Sequence, residues 1–211
     1  MLIRNHRIAV VGRGESATII GSINILGSDG VELRNFTIND SLWIDNLSGN
    51  TAPIFLDKVT IVGEGVFFDD GGYVDKGSDA KFSDVNAHLL YIDLSSSAII
   101  IDSEIELLSC SESRIQASQS SLGVLDGFEC HVGIANSTIS DITIYDSTLK
   151  VTNSEVSGDV GYGHSTNVYF GNSRVANGFI DLDNEPNVIL KCMNVINTNF
   201  DSYQSNCSLA P

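Results

Sequence analysis

Asp102-Ser103-Glu104-Ile105, Gln119-Ser120-Ser121-Leu122, Asn136-Ser137-Thr138-Ile139 and Asn153-Ser154-Glu155-Val156 repeat one pattern: a polar residue, Ser, any residue, an aliphatic. Each begins 17 residues after the one before. A second series, Glu112-Ser113-Arg114-Ile115, Glu129-Cys130-His131-Val132 and Asp146-Ser147-Thr148-Leu149, keeps the same 17-residue period and interleaves with the first at steps of 10 and 7. A fixed period of this length is the signature of a solenoid, in which each repeat is one coil. The two series mark two turns in every coil.

Other columns of the register agree. Ile100, Ala117, Ile134, Val151 and Val168 form one apolar column, and Ile105, Leu122, Ile139 and Val156 form another. One coil cannot bury its inward side chains alone, whereas coils stacked about 4.8 Å apart pair every strand with the next and build aliphatic ladders. Ser103, Ser120, Ser137 and Ser154 then form a polar ladder at a corner, where a small hydroxyl can bond turn backbone. The surrounding sequence is all-β in character. Runs such as Val31-Glu32-Leu33-Arg34-Asn35-Phe36-Thr37-Ile38 alternate and end in turn residues, and no long stretch has helical periodicity.

The period drifts away from the centre. Asn172-Ser173-Arg174-Val175 arrives 19 residues after Asn153, and Asn194 lies 22 further on, so coils of about 17–22 residues are expected with insertions at corners. The pattern lapses over 63–88, which is expected to be an irregular loop excursion, and again over the tail 201–211, which is expected to cap the last coil or meet a neighbour. With 211 residues, the whole of 1–211 is expected to be a single domain.

Composition bounds the partners. Eleven Lys and Arg against 27 Asp and Glu give a net charge of -16, which repels phosphate backbones and anionic lipid surfaces, so neither nucleic acid nor a membrane is an expected partner. No run of 18 apolar residues occurs, and the first residues lack the apolar stretch of a secretory signal. Cys110, Cys130, Cys192 and Cys207 form no C-x-x-C pair, and buried free thiols are the expectation.

Arg7-Ile8-Ala9-Val10-Val11-Gly12-Arg13-Gly14 with Thr18-Ile19-Ile20-Gly21-Ser22 resembles the first coils of the pectin-lyase-like superfamily. The resemblance implies a single-stranded right-handed parallel β-helix. That superfamily includes polysaccharide lyases, glycoside hydrolases, adhesins and phage tailspikes, so function must be argued from the site. Asp69-Asp70 resembles the paired aspartates of its hydrolases, where two carboxylates flank the scissile bond, but the companion Gly-His-Gly and Arg-Ile-Lys elements are missing.

The leading expectation is a non-enzymatic structural and binding solenoid: a spike, decoration or adhesion module, virion-associated or on an extracellular surface, and homotrimeric by resemblance to phage fibres. Carbohydrate or other virion and surface proteins are its expected partners, and no cofactor is expected. Trp43, Phe67, Phe68, Tyr73 and Phe82 are the candidate binding residues, because a ring face stacks on the apolar face of a pyranose. The alternative is a polysaccharide-degrading lyase or glycoside hydrolase with Asp69, Asp70 and His88 in an active groove. Asp181, Asp183 and Glu185 offer alternate oxygens as a weak Ca²⁺ candidate without the Gly and distal Glu of an EF-hand loop.

Overall fold

The computed structural model describes residues 1–4, 7–13, 17–28, 30–45, 53–63, 72–75, 77–184 and 187–209. Among them every regular element is a β-strand and every ladder between strands is parallel, stacked as a β-solenoid of about nine turns. In the central turns the repeat of 17 is the register itself. Glu104–Ser111 pairs with Ser121–Phe128, which pairs with Thr138–Tyr145, with Ile105 over Leu122 over Ile139.

Each central coil has three sides. Ser97–Ile101 is the first, and its inward residues Ala98 and Ile100 alternate with outward ones. Glu104–Ser111 supplies the other two, because Glu106 and Leu107 both face outward while Ile105 and Leu108 face inward, and that break in alternation is a bend. The next turn follows the same bend at Gly123, where a Cβ would come within 2.1 Å of the Glu106 carbonyl oxygen, so only glycine lets the two turns lie this close.

Seventeen Ile, Val and Leu side chains from Val85 to Val156 are buried in one continuous core, and that core runs from Ile3 to Cys207. The column headed by Ile100 departs from expectation at its end. Ile100, Ala117, Ile134 and Val151 stack as expected, but the next member is Phe170, and Val168 instead stands over Leu149. Two residues are added on the way, one between Val156 and Val160 and one between Gly163 and Asn167, and together they shift the count by one full in-out period, so an inward residue is replaced by another inward residue.

Within the stretch 63–88, expected to be an irregular excursion, the described residues include regular strand. Gly72–Asp75, Asp79–Ser83 and Asn86–Ile92 rejoin the ladder, with Val74, Ala80, Phe82 and Ala87 pointing inward. Their inward side chains are separated by Asp, Lys and Asn on the outward side, which hides the aliphatic signal in a linear reading.

Two disulfides replace the expected free thiols: Cys110–Cys130 and Cys192–Cys207. Gly127 stands over Cys110 one turn on, and Cys130 lies three residues further at the next corner, so the coil period itself brings that pair together. The second bond fastens the tail onto the last coil. Tyr203 donates its backbone N–H to the Val195 carbonyl at 2.8 Å, and its buried ring meets Phe179 edge-on at 5.3 Å, closing the C-terminal end of the core. The tail is a cap, one of the two roles expected of it.

Candidate functional site: a polar groove along one corner

The repeated motif explains a corner. Its first residue takes the left-handed backbone conformation: Asp102 has φ 49°, Gln119 54°, Asn136 50° and Asn153 50°. Short polar side chains tolerate that region best, which is why Asn and Asp recur there. The Ser that follows turns its hydroxyl into the coil. Ser120 Oγ donates to the Ser118 carbonyl at 2.8 Å and accepts the Ser103 backbone N–H at 3.2 Å, and Ser103, Ser137, Ser154 and Ser173 do the same. The predicted ladder of hydroxyls is thus a column that holds one turn to the next.

The same corner extends well beyond the motif. Asn35, Lys58 and Asp84 precede Asp102 in it, and Asn172 and Asn194 follow Asn153, all with φ between 49° and 57°. Two residues after each, an outward side chain forms the floor of a groove, from Thr37 and Thr60 through Ser121 and Thr138 to Arg174 and Ile196. The groove has two stretches, of about 920 and 990 Å³, that share Gln119 and Ser121 and so join. Eight steps between nine turns make it roughly 38 Å long at about 4.8 Å per step.

Its chemistry changes along its length. Asp84, Asp102 and Glu104 line the first stretch, while Asn136, Thr138, Asn153 and Asn172 make the second one mostly amide and hydroxyl. Arg174 lies one turn before that end. Its guanidinium lies 3.4 Å from Glu155, donates to the Thr198 carbonyl at 3.2 Å and covers the Phe200 ring. A row of groups that both donate and accept suits an extended chain rich in hydroxyls.

On the shoulder of the first stretch, His88 Nδ1 lies 2.6 Å from Glu106 Oε2. These two share a hollow of about 510 Å³ with Asn86 and Glu104, which also line the groove. His164 meets Asp183 in the same manner at 2.6 Å, beside the Tyr145 ring. Gly163 leaves room for this contact, since a Cβ there would fall 2.2 Å from the Asp183 carboxylate. Neither carboxylate was named as a partner by the linear reading. The signal was the repeat: Glu106 is 18 residues after His88 and Asp183 is 19 after His164, one coil in each case.

The expected binding residues separate. Trp43 is half-buried on an outward position, and Trp43, Tyr73 and Tyr91 hold one register column, so Tyr91 is a member the sequence reading missed. Burial, with the Asp93 charge next, pushes the Tyr91 phenol above its ordinary 10.0. Phe82 is a correction: it is 0% exposed and presents no ring face to a ligand, because it occupies an inward position between Leu56 and Ile100. Phe67, Phe68, Asp69, Asp70 and Glu185 lie outside the described residues.

The acidic run near 181 is already committed. Asp181 Oδ1 accepts the Asn184 backbone N–H at 2.8 Å and that of Asp183 at 3.2 Å, which makes a turn, and Asp183 faces His164. Among the described residues no group of three or more His, Cys, Asp or Glu stands where it could hold a metal ion. Comparison of the chain with protein-family models, with curated proteins and with solved structures finds no match.

Proposed function

We propose that this chain is a non-enzymatic binding module: a stiff solenoid of the right-handed, pectin-lyase-like kind that holds an extended, hydroxyl-rich glycan in its corner groove. The observation that carries the reading is the continuity of the groove from Asn35 to Asn194, with an amide side chain at the corner of every turn from Gln119 to Asn194. A polymer with one sugar per turn meets a corner amide at each of these steps. The two disulfides fit a protein matured in an oxidising compartment, in keeping with a spike, decoration or adhesion role on a virion or cell surface. Homotrimeric assembly is part of the proposal, and a native-mass measurement tests it separately.

The test is binding of neutral oligosaccharides to the intact chain and to Thr138→Arg, which fills the groove floor from an outward position. Loss of binding in the variant with an unchanged melting temperature supports the reading, and equal binding refutes it. One observation favours the alternative of a glycoside hydrolase, namely His88 and Glu106 beside Glu104 in a hollow that opens on the groove. Glu106→Gln distinguishes the two readings, because a hydrolase loses turnover and a binding module has none to lose.

A further inference from the structure

The six strands Ser97–Ile101, Arg114–Ser118, His131–Ala135, Thr148–Thr152, Asn167–Gly171 and Ile189–Met193 are the C-terminal stretch of one side of the solenoid and contain no Asp or Glu, whereas the same side carries Glu32, Asp57 and Asp79 in its earlier turns. They carry Arg114, Lys150 and Lys191 in a chain whose net charge is -16. The segregation is local and one-sided. Lys150, Tyr169 and Lys191 follow one another in a single outward column. Lys191 Nζ sits 5.6 Å from the centre of the Tyr169 ring, and among the described residues neither lysine meets a carboxylate.

Around this column the surface is concave. A hollow of about 710 Å³ is lined by Lys150, Thr152, Tyr169, Lys191 and Met193, with Ser205 and Asn206 of the tail as one wall. The wall is fixed, because Cys192 is bonded to Cys207 and its backbone N–H donates to the Ser205 carbonyl at 3.0 Å. The volume falls in the range of small-ligand sites, about 300–1,000 Å³. Lys150 and Lys191 stand two turns apart in the column, roughly 9.6 Å between backbones at about 4.8 Å per turn, with Tyr169 on the turn between them.

We propose that this hollow is a second binding site, separate from the corner groove, and that it takes the anionic sugar of a sparsely charged acidic glycan. The sugar ring lies on Tyr169, and its carboxylate or sulfate meets Lys150 or Lys191. Charge complementarity selects an anion. The spacing and the overall charge select a sparse one, because duplex DNA carries a negative charge about every 1.7 Å and the rest of this acidic molecule repels it. Carboxylated and sulfated sugars share the chemistry the hollow offers.

Equilibrium titration of the intact, disulfide-bonded chain with a hyaluronan hexasaccharide, which carries carboxylates alone, a keratan-sulfate hexasaccharide, which carries sulfates alone, and neutral chitohexaose tests the site and tells the two anions apart. At least one acidic probe is expected to bind tenfold or more tightly than the neutral one, and to weaken as salt rises. Lys150→Gln with Lys191→Gln is expected to remove that advantage, and Tyr169→Leu to weaken the acidic probe several-fold. Thr138→Arg, in the groove, is expected to leave it unchanged, so this site and the groove fail independently. Equal affinity for all three probes, no salt dependence in the wild-type chain, full affinity in the double variant, or tighter binding of a short DNA strand would each overturn the proposal.

Discussion

The Ser120 backbone N–H donates to Ser137 Oγ at 3.1 Å, and that hydroxyl donates in turn to the Ala135 carbonyl at 2.8 Å. One buried hydroxyl therefore closes its own turn and ties the turn to the one before. Replacing it orphans the buried Ser120 N–H, while the Ala135 carbonyl keeps the Gln119 backbone N–H at 3.2 Å. Ser137→Ala is expected to lower the unfolding free energy by about 2 kcal/mol, within the roughly 1–3 kcal/mol for an unsatisfied buried group. Urea denaturation measures this, and a loss below about 0.5 kcal/mol would mean the ladder is not structural.

Ile139 lies in the core between Leu122 and Val156. Ile139→Asp would bury a carboxylate with aliphatic neighbours above and below, at a cost of about 3–5 kcal/mol. A thermal midpoint equal to that of the wild type would contradict the register.

The C-terminal cap depends on the Cys192–Cys207 bond. Closing a loop of this size contributes about 3 kcal/mol in the chain-entropy account. Cys192→Ser with Cys207→Ser is expected to lose about that much stability. It should also increase binding of a hydrophobic dye as the Phe170, Phe179 and Tyr203 rings at that end become accessible. Unaltered dye binding would show that the tail stays in place without its tether.

Burial raises the phenol pKa of Tyr91, Tyr162 and Tyr203 above the ordinary 10.0, with nearby Asp93 and Asp181 adding to the first two. A group with a raised folded pKa holds its full contribution below its unfolded value and loses it as pH climbs through the folded one. Stability is therefore expected to be level in this respect below about pH 10 and to fall above it. Tyr203→Phe should flatten that alkaline decline, as followed by thermal midpoints from pH 9 upward. The same slope in both proteins would contradict it.

What could be seen in the chain before its structure was whatever the repeat encodes. Asn136-Ser137-Thr138-Ile139 and its copies name the corner, the hydroxyl and the inward aliphatic, because stacked turns impose the same demand at the same position. Where a turn gains residues the register cannot be read by counting, and Val168 was placed over Val151 although Phe170 holds that position. Contacts between turns were legible only to a search at one-coil separation. His88 with Glu106 meets that condition; Cys110 with Cys130 is three residues off it, and Cys192 with Cys207 lies outside it altogether, since the tail has left the repeat. The rings named as binding residues had no such guide, and Phe82 belonged to the core because its neighbours in the column are Leu56 and Ile100.

The groove reading and the absence of catalysis can be tested on one sample. A long neutral oligosaccharide is incubated with the intact chain, the bound fraction is recovered, and its length is read by mass spectrometry. The account predicts retention of the oligosaccharide at its original length, and no retention by Thr138→Arg. Recovery of shortened products from the wild-type chain, abolished by Glu106→Gln, would contradict it and establish the hydrolase in its place.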